Sequence, residues 1–453
     1  MSGHMGARRN IAIIGTGISG LSAAWLLSRH HDVTVFERDL RIGGHSNTVA
    51  PDLAGNPVPV DTGFIVYNEA AYPNLTALFD HLGVATHPTE MSFSVSLDNG
   101  RMEYSGGDLA GLFAQKRNLL RGRFWSMLRD IVRFYQQAPR DLAELERTGT
   151  TLGDYLRQSG YGTAFCEDHL LPMAGAIWSA PPDALRDYPA AAFIRFQQNH
   201  GLLKLRDREM WRSVSGGSRT YVDRLTSTFR DRIRTGTEIA KIRRDGYGVS
   251  LLSSEGHEMR FDHVVIATHA DQALSMLGAP TPSEKELLGA FRYSRSKVLL
   301  HTDPSFMPRR RAAWSSWNYL GNSDRPGKTG ISVTYWMNRL QQLPTKESVF
   351  VTLNPETEPA AGTILHREDY DHPMFDRLAI DAQRRLWSLQ GQLRTWYCGA
   401  YFGSGFHEDG LQAGLAVAEA LSGERRPWRV PAQSGRIFVG HEPAAEIPAN
   451  RAA

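Results

Sequence analysis

The hydrophobic and polar positions at the start of the chain predict a strand, a tight turn and a helix. Four apolar residues, Ile11–Ile14, lead into Gly15-x-Gly17-x-x-Gly20, and small and apolar residues continue to Trp25. A second apolar stretch, Val33–Phe36, ends at Glu37. A strand that passes through this glycine turn into a helix, with an acidic residue about 20 positions further on, is typical of a dinucleotide-binding βαβ unit.

The rest of the chain mixes strand and helix patterns. Short apolar or alternating stretches predict strands at 93–97, 102–104, 239–242, 261–268, 296–301, 312–319, 330–336 and 396–399. Apolar residues at helical spacing predict helices at 72–83, within 108–159, from about 218 and after Gly410. Asp98-Asn-Gly100 has the composition of a hairpin turn between the first two of these strands. The pattern therefore predicts an α/β fold.

Composition narrows the class of protein. The chain has 453 residues, 41% of them hydrophobic, which is enough for two domains with substantial cores. Its net charge of +3 gives no reason to expect a nucleic acid partner. Cys166 and Cys398 form neither a disulfide framework nor a zinc-like spacing, so we expect a reducing environment and no metal.

The hydropathy pattern predicts a cytoplasmic protein with no transmembrane segment. No apolar run approaches the roughly 18 residues that cross a bilayer. The first strand begins close to the N-terminus, which leaves no room for a signal peptide. Peripheral membrane contact remains open, because Lys116, Arg117, Arg121 and Arg123 precede an amphipathic stretch at 124–135. This basic cluster is either a docking patch for anionic lipid or a solvated face above an ordinary core helix.

Each position of the glycine motif has a physical role. Gly15 allows the sharp turn, Gly17 lets a pyrophosphate approach the backbone, and Gly20 lets the helix pack closely on the strand. The first N–H groups of the helix, near Ser19, would face the phosphates. Glu37 would accept hydrogen bonds from ribose hydroxyls and would repel a 2′-phosphate, which disfavours NADP. The motif alone does not separate NAD from FAD.

The residues that follow resemble the flavin-containing amine oxidase superfamily. Arg38, Gly43, Gly44 and His45 come after Glu37, and Asp61-Thr62-Gly63 follows. The resemblance implies a Rossmann-like FAD-binding domain in which the two glycines approach the phosphate and flavin and residues 61–63 lie at the flavin edge. Two positions depart from the monoamine oxidases: Asp39 and His45 stand where those enzymes carry arginine.

A second part of the resemblance lies near the C-terminus. A strand ending at Gly399 is followed by Phe406-His-Glu-Asp409-Gly410-Leu411, which is similar to the family's G-aromatic-x-E-G element with Asp409 in place of a glycine. The resemblance implies that the helix N-terminus points at the flavin N1/O2 edge and that Phe406 is one wall of an aromatic cage. It also implies that the backbone at Ile239 touches adenine. Because Cys398 lies away from the position where monoamine oxidases attach flavin, we expect noncovalent FAD.

The order of the motifs implies two domains. The FAD-binding domain is expected to be discontinuous, over residues 8–80, 212–280 and 392–425. A substrate domain with a mixed sheet and helices, of amine oxidase type, is expected over residues 81–211 and 281–391. Residues 426–453 form a C-terminal tail. The oligomeric state is not predictable.

The candidate site residues lead to a first hypothesis on function. Trp178, Trp211, Tyr401 and Phe406 are candidate substrate contacts in an aromatic, weakly charged domain. His407 is a candidate proton base, with Glu408 orienting it or capping the helix, although both could instead hold Phe406 in place. Lys297 is a candidate for the lysine that holds a water against flavin N5 in monoamine oxidases.

The whole pattern looks like a bacterial subgroup of predicted flavoproteins associated with cyclopropane and modified fatty acid pathways. The resemblance implies an FAD-dependent oxidoreductase that desaturates or isomerises an unsaturated fatty acyl chain, and hence a small-molecule substrate that is bulky and apolar. An amine oxidase is the first alternative. A non-catalytic FAD-bound carrier or structural protein is the second.

Overall fold

The computed structural model of the protein describes residues 8–178, 182–204, 209–321 and 332–440. The fold is α/β with a two-domain architecture, as predicted, and it contains two larger sheets. Residues 179–181 and 330–331, which belong to the predicted break after Trp178 and to a predicted strand, lie outside the described residues.

The first sheet has five parallel strands. In spatial order they are Ile233–Arg234, Asp32–Phe36, Asn10–Ile14, His263–Ile266 and Thr395–Tyr397. The central strand is covered on both faces, and Ile11, Ala12 and Ile13 are fully buried. This burial explains why the strand is a continuous apolar run with no alternating polar positions.

A helix from each end of the chain packs beside this sheet. Every residue of the helix Ile18–Leu27 is buried, and the helix packs against the long C-terminal helix His407–Ser422. The two helices approach so closely that a Cβ at Gly414 would lie 2.2 Å from the carbonyl oxygen of Ser19. The fold therefore brings the N-terminal and C-terminal motifs together.

The second sheet has seven strands. In spatial order they are Met102–Ser105, Phe93–Leu97, Trp317–Gly321, Ser332–Trp336, Phe350–Leu353, Arg292–His301 and Ile364–Met374. Neighbours are antiparallel except for the parallel pair Phe93–Leu97 and Trp317–Gly321. The predicted strand at 312–319 is wrong in its first half, because Arg311–Ala313 form a 3-10 turn and Asn318 Oδ1 accepts a hydrogen bond from the Ser315 N–H.

Smaller sheets and the helices complete the described fold. The smaller sheets are Tyr67–Asn68 with Trp211–Val214 and Thr86–Thr89; Ile239–Asp245 with Gly248–Ser253 and Glu258–Phe261; Thr48–Val49 with Val60–Asp61; and Asp52–Leu53 with Asn56–Pro57. The other helices are Pro73–Leu82, Leu109–Leu112, Gly122–Thr148, Leu152–Gln158, Thr163–Phe165, Leu171–Trp178, Pro182–Arg186, Ala190–Asn199, Arg219–Thr226, Ala270–Met276, Pro282–Gly289, Met337–Leu340 and Arg377–Gln383. None of the helices in the described ranges combines the length and apolar content needed to span a bilayer.

The first part of the predicted C-terminal tail packs back onto the protein. The Arg426 side chain is fully buried, pairs with Glu419 at 2.7 Å and donates to Asn74 Oδ1 at 2.9 Å. The Trp428 ring stacks on Trp25 with centroids 5.7 Å apart. Residues 426–440 are thus an integral part of the fold, and residues 441–453 lie outside the described ranges.

Candidate active site

A cavity of about 1120 Å³ runs from the carboxyl ends of the parallel strands to the second sheet. It lies where open α/β sheets bind their ligands. Many of the residues predicted from the sequence line it. These are Gly15, Gly17, Ser19, Glu37, Arg38, Gly44, His45, Thr62, Gly63, Trp178, Trp211, Ile239, Lys297, Gly399, Tyr401, Phe406 and His407.

The glycine turn has the geometry that its sequence predicts. Gly15 has φ +100°, in the region that favours glycine. A Cβ at Gly20 would lie 2.0 Å from the Gly15 carbonyl oxygen, so glycine is required for the helix to pack here. A Cβ at Gly17 would meet nothing within 4 Å, which leaves open space in front of the helix N-terminus.

The Glu37 carboxylate is fixed at the wall of this open space. Its Oε2 accepts hydrogen bonds from the Thr16 N–H at 3.0 Å and from Thr16 Oγ1 at 2.5 Å. Its Oε1 accepts a hydrogen bond from the Asp39 N–H at 3.1 Å. Arg38 lies at the rim, where its exposed guanidinium is 3.7 Å from Asp39.

These groups fit the nucleotide part of FAD. A helix N-terminus with free space before it suits a pyrophosphate, and an oriented carboxylate suits ribose hydroxyls. Gly44 adjoins the turn, because a Cβ added at Gly44 would lie 3.1 Å from the Gly17 Cα. Gly43 does not line the cavity and packs on the side of this loop away from it. A Cβ added at Gly43 would meet the Ser46 carbonyl oxygen at 2.7 Å.

Asp61 does not contact the cavity, which corrects the expectation that its side chain lies at the flavin edge. It is fully buried and accepts hydrogen bonds from the Ser218 N–H at 2.9 Å, Ser218 Oγ at 2.8 Å and Gln341 Nε2 at 2.7 Å. Burial raises the pKa of Asp61 to about 6 despite these bonds. Asp61 therefore ties the loop that carries Thr62 and Gly63 to two distant segments.

Glu408 is also a structural residue, so its assignment to catalysis is corrected. Its carboxylate accepts hydrogen bonds from the Asn74 N–H at 3.1 Å, the Leu75 N–H at 2.9 Å and Asn74 Nδ2 at 2.8 Å. It thus satisfies the first N–H groups of the helix Pro73–Leu82. Gly410 and Leu411, predicted as cofactor contacts, lie behind the cavity wall, because a Cβ at Gly410 would meet Ser19 Oγ at 2.8 Å and Leu411 is fully buried.

Lys297 lies at the cavity rim and not over the flavin position that the resemblance implies. Its side chain is 45% exposed, and its ammonium pairs with Glu358, which also binds Arg367. The strand pairing places Lys297 opposite Asp369. A lysine that is solvated and ion-paired in this way cannot be the buried lysine that orders a water, and the proposed role is corrected.

His407 faces the cavity as a half-buried imidazole. Its ring stacks on Phe64 with centroids 3.9 Å apart and planes 9° apart. Its Nε2 lies 2.6 Å from the Tyr221 hydroxyl and 3.3 Å from Ser46 Oγ. Burial lowers the pKa of His407 to about 3, so the ring is neutral at pH 7. A ring of such low basicity is a poor proton acceptor at neutral pH, which favours a hydrogen-bonding role over that of a base.

The other end of the cavity is aromatic. Phe406 stacks on Phe196 with centroids 4.6 Å apart, and His200 lies 5.4 Å from Phe406. Trp178 lies 4.6 Å from Phe196, and the Trp211 ring is nearly parallel to His200 at 6.4 Å. Three of the four predicted substrate contacts therefore meet in one cluster, through the two residues Phe196 and His200.

Tyr401 borders the cavity away from this cluster. Its ring packs on Phe291 at 5.2 Å and on Phe402 at 5.0 Å. Its hydroxyl is buried without a hydrogen-bond partner among the described residues. Cys398, three residues earlier, is fully buried and does not line the cavity, and burial raises the pKa of its thiol.

Sequence reasoning missed several residues of the site. Phe196 and His200 stand in an apolar stretch that suits a core equally well, and Tyr221 and Ser46 belong to separate segments that meet only at His407. Tyr370 was missed too; its hydroxyl bonds to Thr62 Oγ1 at 2.9 Å and its ring stacks on His45 at 4.8 Å. The helical spacing of Phe196 and His200, four residues apart, was the one available signal.

Comparisons with known proteins agree with this geometry. The family model for flavin containing amine oxidoreductases matches residues 18–353. AofH of Mycobacterium tuberculosis, which carries the name of a flavin-containing monoamine oxidase, is 26% identical over 386 residues, 83% of this chain and 77% of that protein.

Solved structures share the fold. Cyclohexylamine oxidase from Brevibacterium oxydans superposes with a TM-score of 0.64 at 18% identity, over 92% of this chain and 100% of that one. The CLA-producing fatty acid isomerase from P. acnes superposes with a TM-score of 0.63 at 15% identity, over 91% and 98% of the two chains. With the family model matching most of the chain, the protein belongs to the flavin containing amine oxidoreductases and is an FAD-dependent oxidoreductase.

Proposed function

We propose that this enzyme desaturates or isomerises an unsaturated fatty acyl chain by hydride transfer to FAD. The observation that carries the proposal is the apolar character of the cavity beyond the nucleotide site. Its walls there include a group of uncharged residues: Met91, Phe93, Met173, Ile177, Trp178, Phe196, Leu202, Trp211, Val298, Trp317, Tyr335 and Leu353. The charged lining residues of the second sheet are confined to the two paired strands Arg292–His301 and Ile364–Met374. Bound FAD supplies the hydride acceptor, and the protein supplies binding and orientation.

A second chamber gives a long chain room to extend. It has a volume of about 270 Å³ and shares Met91, Phe93, Met173, His200, Leu202 and Trp211 with the main cavity. The shared walls make the two chambers neighbours, and in this proposal a flexible apolar chain passes the aromatic cluster and continues into the second chamber. A compact substrate would leave this volume unfilled, and unfilled apolar space contributes no binding energy.

The same features disfavour an amine. Phe196 and Phe406 are in direct stacking contact, so no gap between them can hold an amino group. A protonated amine held among the uncharged residues of the aromatic cluster would lose its hydration without gaining a counter-ion there, because the carboxylates of the second sheet that line the cavity, Glu368, Asp369 and Asp371, lie on the strand Ile364–Met374. The neutral His407, held by Tyr221 and Phe64, instead offers a positioned polar contact at the boundary between the nucleotide site and the apolar part.

The test is anaerobic bleaching of the flavin by matched series of compounds. Unsaturated fatty acids of graded length, presented free and as phospholipid in vesicles, are compared with primary amines of the same lengths. Bleaching by acyl chains supports the proposal. Bleaching by amines alone would assign the enzyme to amine oxidation. Because an isomerase returns the hydride to the acyl chain and leaves the flavin oxidised, the recovered acyl chains are also analysed by mass spectrometry for a shifted double bond. Neither bleaching nor a shifted double bond with any acyl chain would overturn the proposed substrate class.

A variant of the second chamber sharpens the test. Gly106 lines it, and a Cβ there would meet its nearest atom, the Phe93 carbonyl oxygen, at 3.9 Å. Gly106→Phe should shorten the longest chain that bleaches the flavin without changing the FAD content. Gly246→Phe is the control and should leave the longest accepted chain unchanged. A Cβ added at Gly246 would meet nothing within 4 Å, and this residue lies outside both chambers.

A further inference from the structure

One surface of the protein exposes apolar side chains among cations. Leu120 is 92% exposed, Leu109 73%, Trp125 49% and Leu119 46%. They form one continuous area, because Trp125 Nε1 donates to the Leu119 carbonyl oxygen at 2.9 Å and packs on Phe113, which directly follows the helix Leu109–Leu112. We call these four residues, together with Lys116, Arg117 and Arg121, the amphipathic face.

The cations of this face lack anionic partners within the described part of the chain. Among the described residues, no carboxylate lies within ion-pair distance of Lys116, Arg117 or Arg121, whereas the fourth member of the basic cluster, Arg123, is paired with Asp168 at 2.7 Å. Arg117 and Arg121 both donate to the carbonyl oxygen of Arg101. Burial and the charges of Arg117 and Arg101 lower the pKa of Arg121.

A helix adds to this positive potential. The 27-residue helix Gly122–Thr148 begins directly after Arg121, and its first turn contains no acidic residue. The positive end of its dipole therefore faces the same surface as the unpaired cations. An anionic partner would be attracted both by the unpaired cations and by the helix dipole. Its binding would also reduce the repulsion among the cations.

We propose that the amphipathic face docks the enzyme on the surface of an anionic phospholipid bilayer. Cations attract the headgroups, while exposed leucine and tryptophan side chains gain free energy by entering the interface between headgroups and acyl chains. A nucleic acid would use the cations and leave Leu109 and Leu120 in water, so it explains only half of the surface. An exposed apolar group among unpaired cations is the combination that interfacial binding requires.

The position of the face relative to the second chamber supports this choice. Gly106 is exposed, lines that chamber and precedes Leu109 by three residues. Met210, which is 63% exposed, lines it as well. Docking through the amphipathic face would place this opening close to the acyl chains of the bilayer. The docking itself does not depend on the proposed reaction.

The experiment is sedimentation of the FAD-bound protein with vesicles of phosphatidylcholine alone or mixed with phosphatidylglycerol. We expect binding to the anionic vesicles, weakened by salt. The variant Lys116→Gln/Arg117→Gln/Arg121→Gln should bind them roughly 100-fold more weakly, from about fivefold per cation. Leu109→Ser/Leu120→Ser should also lose binding.

Two variants remote from the face serve as controls, and both should bind like the wild type. Lys285→Glu removes an exposed cation, and Leu378→Ser removes a leucine that is 70% exposed. The proposal is overturned if the wild type does not sediment with anionic vesicles, if the face variants bind as tightly as the controls, or if duplex DNA competes the protein off the vesicles. Because no turnover is measured, none of these results bears on the proposed substrate.

Discussion

Asp409 and Arg436 form a buried ion pair, with 2.6 Å between Oδ1 and Nε, that joins the C-terminal segment to the first turn of the helix at the cavity. Asp409 Oδ2 also accepts hydrogen bonds from the Ser404 N–H at 3.0 Å and the Phe406 N–H at 2.8 Å. The residue that departs from the family's glycine therefore orders the loop that carries Phe406. Arg436 additionally donates to the Ala71 carbonyl oxygen at 2.9 Å.

Removing the charge of only one partner of this ion pair should destabilise the folded protein. Arg436→Met leaves a buried carboxylate unpaired and is expected to lower the free energy of unfolding by about 3–5 kcal/mol. Asp409→Asn/Arg436→Met removes both charges, keeps an acceptor oxygen for the Ser404 and Phe406 N–H groups, and should recover part of the loss. Urea unfolding measures both, with Arg295→Gln, which breaks an exposed pair with Asp369, as a control expected to change stability by less than about 1 kcal/mol. Equal losses in Arg436→Met and the control would mean that the pair is not stabilising.

Glu37 should contribute to FAD affinity through its charge. Glu37→Gln replaces a carboxylate that is already oriented by Thr16 and Asp39, so ribose hydroxyls would lose charge-assisted hydrogen bonds of roughly 1.5–3 kcal/mol. We expect the Kd of FAD to rise about tenfold to a hundredfold. Titration of the apoprotein with FAD measures this Kd. Glu238→Gln, at an exposed residue that lines the same cavity, is the control and should leave the Kd nearly unchanged. Unchanged affinity would limit Glu37 to a structural role at the strand end.

His407 should act without changing its protonation state. With a pKa of about 3, His407 is neutral from pH 5 to pH 8. The plot of the rate of flavin reduction against pH should therefore have the same shape in the wild type and in His407→Gln. Because Gln keeps a polar side chain, we expect a decrease of roughly tenfold and not the ~10²–10⁴ of a lost base. Stopped-flow reduction across this pH range is the measurement, with the exposed His257→Gln as control. A wild-type inflection near pH 6.5 that is absent from His407→Gln would show that His407 acts as the base.

The parts of the site that depend on local sequence could be predicted. Gly15, Gly17, Gly20 and Glu37 act within one strand, turn and helix, and their spacing alone determines where the backbone and the carboxylate lie. The helix that begins at His407 was equally recognisable, since its motif is also contiguous. In each case the chemistry requires residue types at short spacing, and the sequence displays that spacing directly.

The parts that depend on distant partners could not be predicted. Glu408 and Asp61 stand in motifs that suggest chemistry, but the Asn74 and Ser218 N–H groups that bind them come from other segments. Lys297 lies half-exposed at the cavity rim, where Glu358, a residue 61 positions further along the chain, binds its ammonium group. Phe196 and Phe406 are far apart in the sequence and come into contact only in the folded chain.

Acidification should destabilise the apoprotein. Burial lowers the pKa of His200 and His407 to about 3 and of His301 and His372 to about 4, below the unfolded value near 6.5. Between these values the unfolded chain binds more protons than the folded one, so stability is fully present above about pH 6.5 and is lost as the pH falls. Each histidine contributes a slope of about 1.4 kcal/mol per pH unit inside this window.

Three buried carboxyl groups oppose this loss. Burial raises the pKa of Asp61 to about 6 and also raises the pKa values of Glu408 and Asp409, so the folded state binds extra protons at these groups as the pH falls. The histidines outnumber them, since burial also lowers the pKa of His45 well below its usual value, and the free energy of unfolding should therefore decrease when it is measured by urea unfolding at pH 7, 6 and 5. His301→Gln, which lies in the second sheet and outside the cavity, should make that slope smaller by about 1.4 kcal/mol per pH unit, the contribution of one proton. A free energy of unfolding that is constant from pH 7 to pH 5 would mean that these histidines are not buried in the neutral form.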